Sequence, residues 1–164
     1  MTVKIKFSTG NLKKLATKYN EGTTVLDIGF LNAKSTFIAK IQEFGCKIPV
    51  TKKMRGWFAY THGVHLKKTT TEIVIPPRPF MRMTYSEHKT KWLNLVKTML
   101  KKDFGVDQIA GILGEEIKAD IQDKIMSGKF VSNSSFTIMR KGRDQPLIDT
   151  GEMLKSVDYS VTKK

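Results

Sequence analysis

Three prolines within four residues, in Pro76-Pro77-Arg78-Pro79, divide this chain more firmly than any other feature. Each proline fixes its own φ, and each disfavours helix at the residue before it. The segment must therefore be extended, in a polyproline-like stretch. A strand is predicted before it over residues 67–75, where Thr69 to Thr71 and Ile73 to Ile75 are β-branched. A helix is predicted after it from Thr84. Glu87 three residues on makes a capping box, and Tyr85, Trp92, Leu93, Val96, Met99 and Leu100 form an apolar face. A second long helix is predicted over 106–126, with Ile109, Leu113, Ile117, Ile121 and Ile125 in one stripe and Gly128 as its stop. Its polar side carries Glu115, Glu116, Asp120 and Asp123. A row of this kind is normally a solvated face.

Upstream, Val3, Ile5 and Phe7 alternate with Lys4 and Lys6, as in a strand. Asn11 can cap a short helix to Tyr19, and Asn20 to Gly22 is a turn. Residues 23–31 form a second predicted strand. Residues 35–44 form a helix with Phe37, Ile38, Ile41 and Phe44 at helical spacing, ended by Gly45. Downstream, an exposed basic turn is predicted from Arg140 to Arg143. Thr150 can cap a short helix to Ser156, and residues 157–161 alternate as a closing strand. The predicted fold class is α+β. About four short strands form one small mixed or antiparallel sheet against the two long helices, as a single domain over 1–164.

The chain is basic, with a net charge of +14, and unevenly so. Residues 1–102 hold 20 of the 29 Lys and Arg but only 5 of the 15 Asp and Glu. One basic side follows, suited to nucleic acid, to an acidic protein, or to water alone. The charge is dense over 46–71, where Lys47, Lys52, Lys53, Arg55, Lys67 and Lys68 meet no acid before Glu72. Trp57, Phe58 and Tyr60 lie among these cations. Unpaired charges make poor core, and clustered aromatics make poor solvated loop. This insert is therefore predicted to project as an arm or hairpin toward a partner. Lys52, Lys53, Arg55, Trp57 and Phe58 are its candidate contacts.

Residues suited to catalysis are sparse. His62, His65 and Cys46 fall short of a zinc set, which needs four ligands at tighter spacing. No nucleophile elbow or phosphate-cradling glycine loop occurs, and the single cysteine excludes an internal disulfide. Residues 104–118 resemble a helix-turn-helix weakly, but Glu115 and Glu116 would repel phosphates. No metal, cofactor or turnover is expected. The N-terminal alternation lacks the continuous apolar run of a signal peptide, and no run is long enough for a membrane span.

Three segments carry a family resemblance: Glu43-Phe44-Gly45, then Ile75 to Arg82 (IPPRPFMR), then Arg140 to Val157 (RKGRDQPLIDTGEMLKSV). In that order they resemble the virion morphogenesis and tail-completion proteins of tailed bacteriophages. The likeness spans roughly residues 23–161, and the insert is longer than in the simplest members. It implies a non-enzymatic ring, expected as a hexamer, that completes the tail or joins it to the head connector. Implied partners are further copies of the chain, a connector or stopper protein, and a tail tube or tail terminator protein. Phage DNA in the channel is a further candidate contact. The implied location is the virion neck, after assembly in the host cytoplasm. Tail terminator, head-closure protein and basic nucleic-acid-binding module are the alternatives. Arg78 and Phe80, held by the stiff prolines, are predicted interface anchors, as are Arg140, Lys141 and Arg143; the alternative is that Phe80 belongs to the core and the prolines only end the strand.

Overall fold

The computed structural model describes residues 2–6 and 23–163. The helix predicted over 11–19 and its following turn lie outside them. The fold is mixed α+β. Strand β1 (Thr2–Lys6) and strand β2 (Thr24–Phe30) pair antiparallel, with Val3 opposite Ile28. Strand β5 (Val157–Lys163) pairs with the other edge of β2, with Phe30 opposite Val157 and Leu26 opposite Val161. The sheet order is therefore β1-β2-β5. Helices α1 (Ala33–Phe44), α2 (Lys52–His62), α3 (Phe80–Lys101), α4 (Val106–Ser127), α5 (Ser135–Lys141) and α6 (Glu152–Lys155) complete the chain with strands β3 (Cys46–Pro49) and β4 (Glu72–Ile75).

Both long helices form, but on α3 Tyr85 and Leu93 of the predicted apolar face stay 50% and 60% exposed, while Trp92 and Met99 are buried. Ile109, Leu113, Ile117, Ile121 and Ile125 of α4 are all buried, and the last four share one core cluster with Trp92 of α3 and Leu26, Ile28 and Phe30 of β2. A β-carbon at Gly114 would lie 2.4 Å from the ring of Tyr159, so the glycine lets β5 approach α4 closely. Across α3 and α4 a polar seam joins Glu87 to Lys124 and Lys91 to Glu116 and Asp120. Asp120 also accepts from the Trp92 indole at 2.7 Å. The helix end at Gly128 and the closing strand stand as expected.

Four expectations are overturned. The single sheet of four strands is two sheets, because β4 leaves the main sheet and pairs with β3 (Cys46 opposite Ile75, Ile48 opposite Ile73). Closing a nearby loop costs less chain entropy than reaching a distant strand. The long helix begins at Phe80, not Thr84. Thr84 is buried one turn further along with its hydroxyl donating to the Phe80 carbonyl, and Glu87 serves α4 instead of a capping box. Helix α1 buries Ser35, Ala39 and Glu43, while Phe37 and Phe44 of the predicted apolar face stay 65% and 57% exposed. Small residues let α1 sit close to the core, and Glu43 is required inside. The turn predicted at Arg140 is the end of helix α5, capped by Ser134 and closed by Gly142 in the left-handed region. Among the described residues no helix is long and apolar enough to cross a membrane.

Candidate functional site

The three resembling segments, far apart in sequence, interlock. Glu43, fully buried at the end of α1, accepts hydrogen bonds from the Met81 and Arg82 backbone N–H groups and from the Arg82 side chain at 2.9 Å. A carboxylate is thereby set at the N-terminus of α3, where the helix dipole and free N–H groups favour it. Two residues on, Gly45 has φ +76°, and a β-carbon there would lie 2.8 Å from the Ile75 carbonyl. The Arg78 N–H donates to the Gln42 carbonyl at 2.7 Å. Its guanidinium donates to the Val131 and Ser132 carbonyls and to the side chains of Gln42 and Asn133. Asn133 in turn donates to Asp144 of the third segment.

A groove of about 310 Å³ lies over this network, with Ile38 on α1, Thr137 on α5 and Thr150 in the turn before α6 among its walls. Its charged groups are held within the chain. Arg140 meets Asp149 at 2.6 Å, Lys141 donates to the Gln145 carbonyl, and Glu152 meets Lys34 at 3.0 Å. Arg78 is lowered from its ordinary pKa by burial, with Asp144 acting against the shift. Burial also lowers Lys141. Asp144 is held below the ordinary carboxyl range, first by the Asn133 N–H. These bonds clamp the three segments to one another.

Several expected contact residues are consumed by this clamp. Phe80 is fully buried, edge-on to Phe30 at 5.9 Å, and Arg78 is 5% exposed. Neither is open to a partner. Arg140 and Lys141 lie on α5, and Arg143 donates to the Asp149 carbonyl, so the basic loop is tied down. The prolines stop β4 and Phe80 lies in the core, as the alternative had it, and Arg78 goes inward with it.

The opposite holds between Gly45 and Pro77, where no residue is buried. Strands β3 and β4 form a two-stranded ladder with α2 in the connection beyond it. Thr51 caps α2 at its N-terminus and Gly63 closes it in the left-handed region. Arg55 donates to the carbonyls of Leu66, Lys67 and Thr70, so this candidate contact braces the excursion itself. The same contacts fold 66–71 into a turn where strand was predicted. Phe58 and His62 lean on Phe136 of α5, at ring separations of 5.4 and 5.1 Å. Lys52, Lys53 and Trp57 remain exposed, and so does Tyr60, at 95%. Lys47 pairs with Glu72; among the described residues Lys52, Lys53, Lys67 and Lys68 have no ion pair.

The acidic row on α4 is split. Asp120 and Glu116 belong to the seam with α3, whereas Glu115 and Asp123 face outward with Ile112, Ala119 and Met126. Among the described residues no group of three or more His, Cys, Asp or Glu is placed to hold a metal ion. Comparison with protein-family models, with curated proteins and with solved structures gave no match for this chain.

Proposed function

We propose that this chain is a structural protein of a tailed-bacteriophage virion, which assembles as a ring at the neck to complete the tail or join it to the head connector. The observation that carries the reading is the excursion over 45–77, which buries none of its residues yet exposes Trp57, Tyr60 and four unpaired lysines. An isolated two-stranded ladder is marginal in water. One that also bears exposed aromatics is suited to a partner surface. The interlock of the three family-like segments supports the same reading, since it gives each a place in one scaffold. Assembly then falls to the surfaces those segments leave free.

The test is a phage carrying Lys52→Glu, Lys53→Glu and Lys68→Glu in this chain. All three positions are exposed, so the purified variant should melt like the parent. Electron microscopy of infected cells should show filled heads and separate tails. Normal infectious particles would remove the excursion from assembly.

The same four lysines favour a second reading, a sequence-independent contact with DNA. Neutralising phosphates releases counterions, so duplex affinity would fall with salt at a slope of about −0.9 per phosphate engaged. Loss of one to two charges from that slope in the triple variant would favour DNA as the partner.

A further inference from the structure

Resting on the ring reading, we propose that the subunit contact is heterologous: the outer face of α2 on one copy docks against the outer face of α4 on the next. The two faces are complementary in charge. At 100° per residue, Lys53, Gly56, Trp57 and Tyr60 share one side of α2, with Lys52 beside them. Phe58 and His62 occupy the other side, against Phe136, and the Trp57 ring, 53% exposed, also touches Phe58 at 5.1 Å and His62 at 4.8 Å. The free side is cationic and aromatic. On α4 the same construction aligns Ile112, Glu115, Ala119, Asp123 and Met126, all exposed. This face carries two carboxylates and no cation, on a chain of net charge +14. Among the described residues neither Glu115 nor Asp123 makes an ion pair. Glu115 takes a hydrogen bond from Tyr159, and Asp123 takes one from Ser127.

The dimensions also agree. The 11 residues of α2 rise about 16 Å, and Ile112 to Met126 covers about 21 Å. Gly56 has nothing within 4 Å of a built β-carbon, and Ala119 is small, so the helices can approach closely at their centres. With Gly56 over Ala119, Trp57 and Tyr60 run toward one apolar end of the α4 stripe, while Lys52 and Lys53, about 4.5–6 Å the other way along α2, come level with a carboxylate. A contact between two different patches repeats from copy to copy, which is the geometry that closes a ring. A second copy is the occupant chosen here because the chain itself carries both halves. An acidic partner protein or DNA would leave the α4 face unused.

Two single-cysteine chains test this, both in a Cys46→Ser background: one with Tyr60→Cys, the other with Ala119→Cys. A short bis-maleimide added to their mixture at low salt should give a covalent dimer. Neither chain alone should give more than about a tenth of that yield. Adding Lys52→Glu and Lys53→Glu to the first chain should cut the yield about tenfold, and adding Glu115→Lys and Asp123→Lys to the second should restore it. A mixture that links no better than its components, or linking indifferent to these reversals, overturns the contact. If native mass spectrometry shows closed rings in that case, the ring reading stands and only this interface falls. A chain that is monomeric even within tail particles overturns both.

Discussion

Glu43 joins the C-terminal turn of α1 to the first turn of α3, and it does so from a fully buried position. Helix α3 has no side-chain cap of its own, since Pro79 stands at the cap position. The carboxylate is thus the acceptor for two N–H groups that a helix start leaves unmet. Glu43→Ala should lower unfolding stability by roughly 2–3 kcal/mol, because charged hydrogen bonds are lost and a buried donor is left without a partner. Urea denaturation read by circular dichroism measures this. An effect within about 0.5 kcal/mol, the range of surface substitutions, would contradict it. Glu43 was legible as part of a family-like segment, but its role was not. A hydrophobic pattern marks Phe44 and Ile41 for the core and gives a charged neighbour no reason to be there.

Among the elements, what the sequence made legible were those with a long period. The α4 stripe runs over seventeen residues from Ile109 to Ile125 and admits one burial face, and the β5 sequence alternates from Val157 to Val161, although only Val157 is buried. Helix α1 was found but turned over, because its amphipathic pattern gives a face and not the face's destination. Ala39 and Ser35 take the buried side, where a large side chain would hold the helix away. Strand β3 was missed since four residues containing Pro49 look like loop, and α5 because seven residues give too little periodicity. Of the candidate contacts, those over 52–57 stayed outside apart from Arg55, and Arg78 and Phe80 beside the prolines turned inward to partners that no local rule names, while Arg140 and Arg143 stay exposed but are tied to Asp149. The loops at 131–133 and 144–149 are held by such partners, and this makes them sensitive to acid. Asp144 lies below its ordinary pKa of 3.8 in the folded chain, so its ionised form favours folding. That contribution is complete above about 3.8 and is lost as pH falls through the lower folded value. Asp158, held down by Lys118, acts in the same sense. Asp144→Asn should therefore be less stable than the parent near neutrality. The gap should close as the pH drops below 3.8, as followed by urea midpoints across pH. A gap that widens in acid would refute the assignment.

The whole molecule divides into a core built around β2, α3 and α4 and an excursion that contributes nothing to it. Replacing residues 50–71 by a two-residue Asn-Gly turn should leave the core folded, since the Pro49–Glu72 pair is in register for a tight hairpin. The melting temperature of the shortened chain should change by no more than a few degrees, while particle assembly is lost. A large fall in melting temperature would show that the contact with Phe136 stabilises the core. The uneven charge reads in part the same way: residues 46–71 hold six Lys and Arg and no acid, and α4 holds five acids and two lysines, although α3 is itself basic.

The clamp at Glu43 also decides how the body would meet mechanical tension. The excursion leaves the body through two adjacent points, Gly45 and Ile75, one just past the end of α1 and one shortly before the start of α3. A pull on its tip is divided between these two helices. They are fastened to each other at that place by the Glu43 carboxylate and by the Arg78 N–H on Gln42. The force therefore runs along β3 and β4 side by side and does not pull one strand from the other. It reaches the body at the fastened ends of α1 and α3, and the three-stranded sheet lies behind that junction.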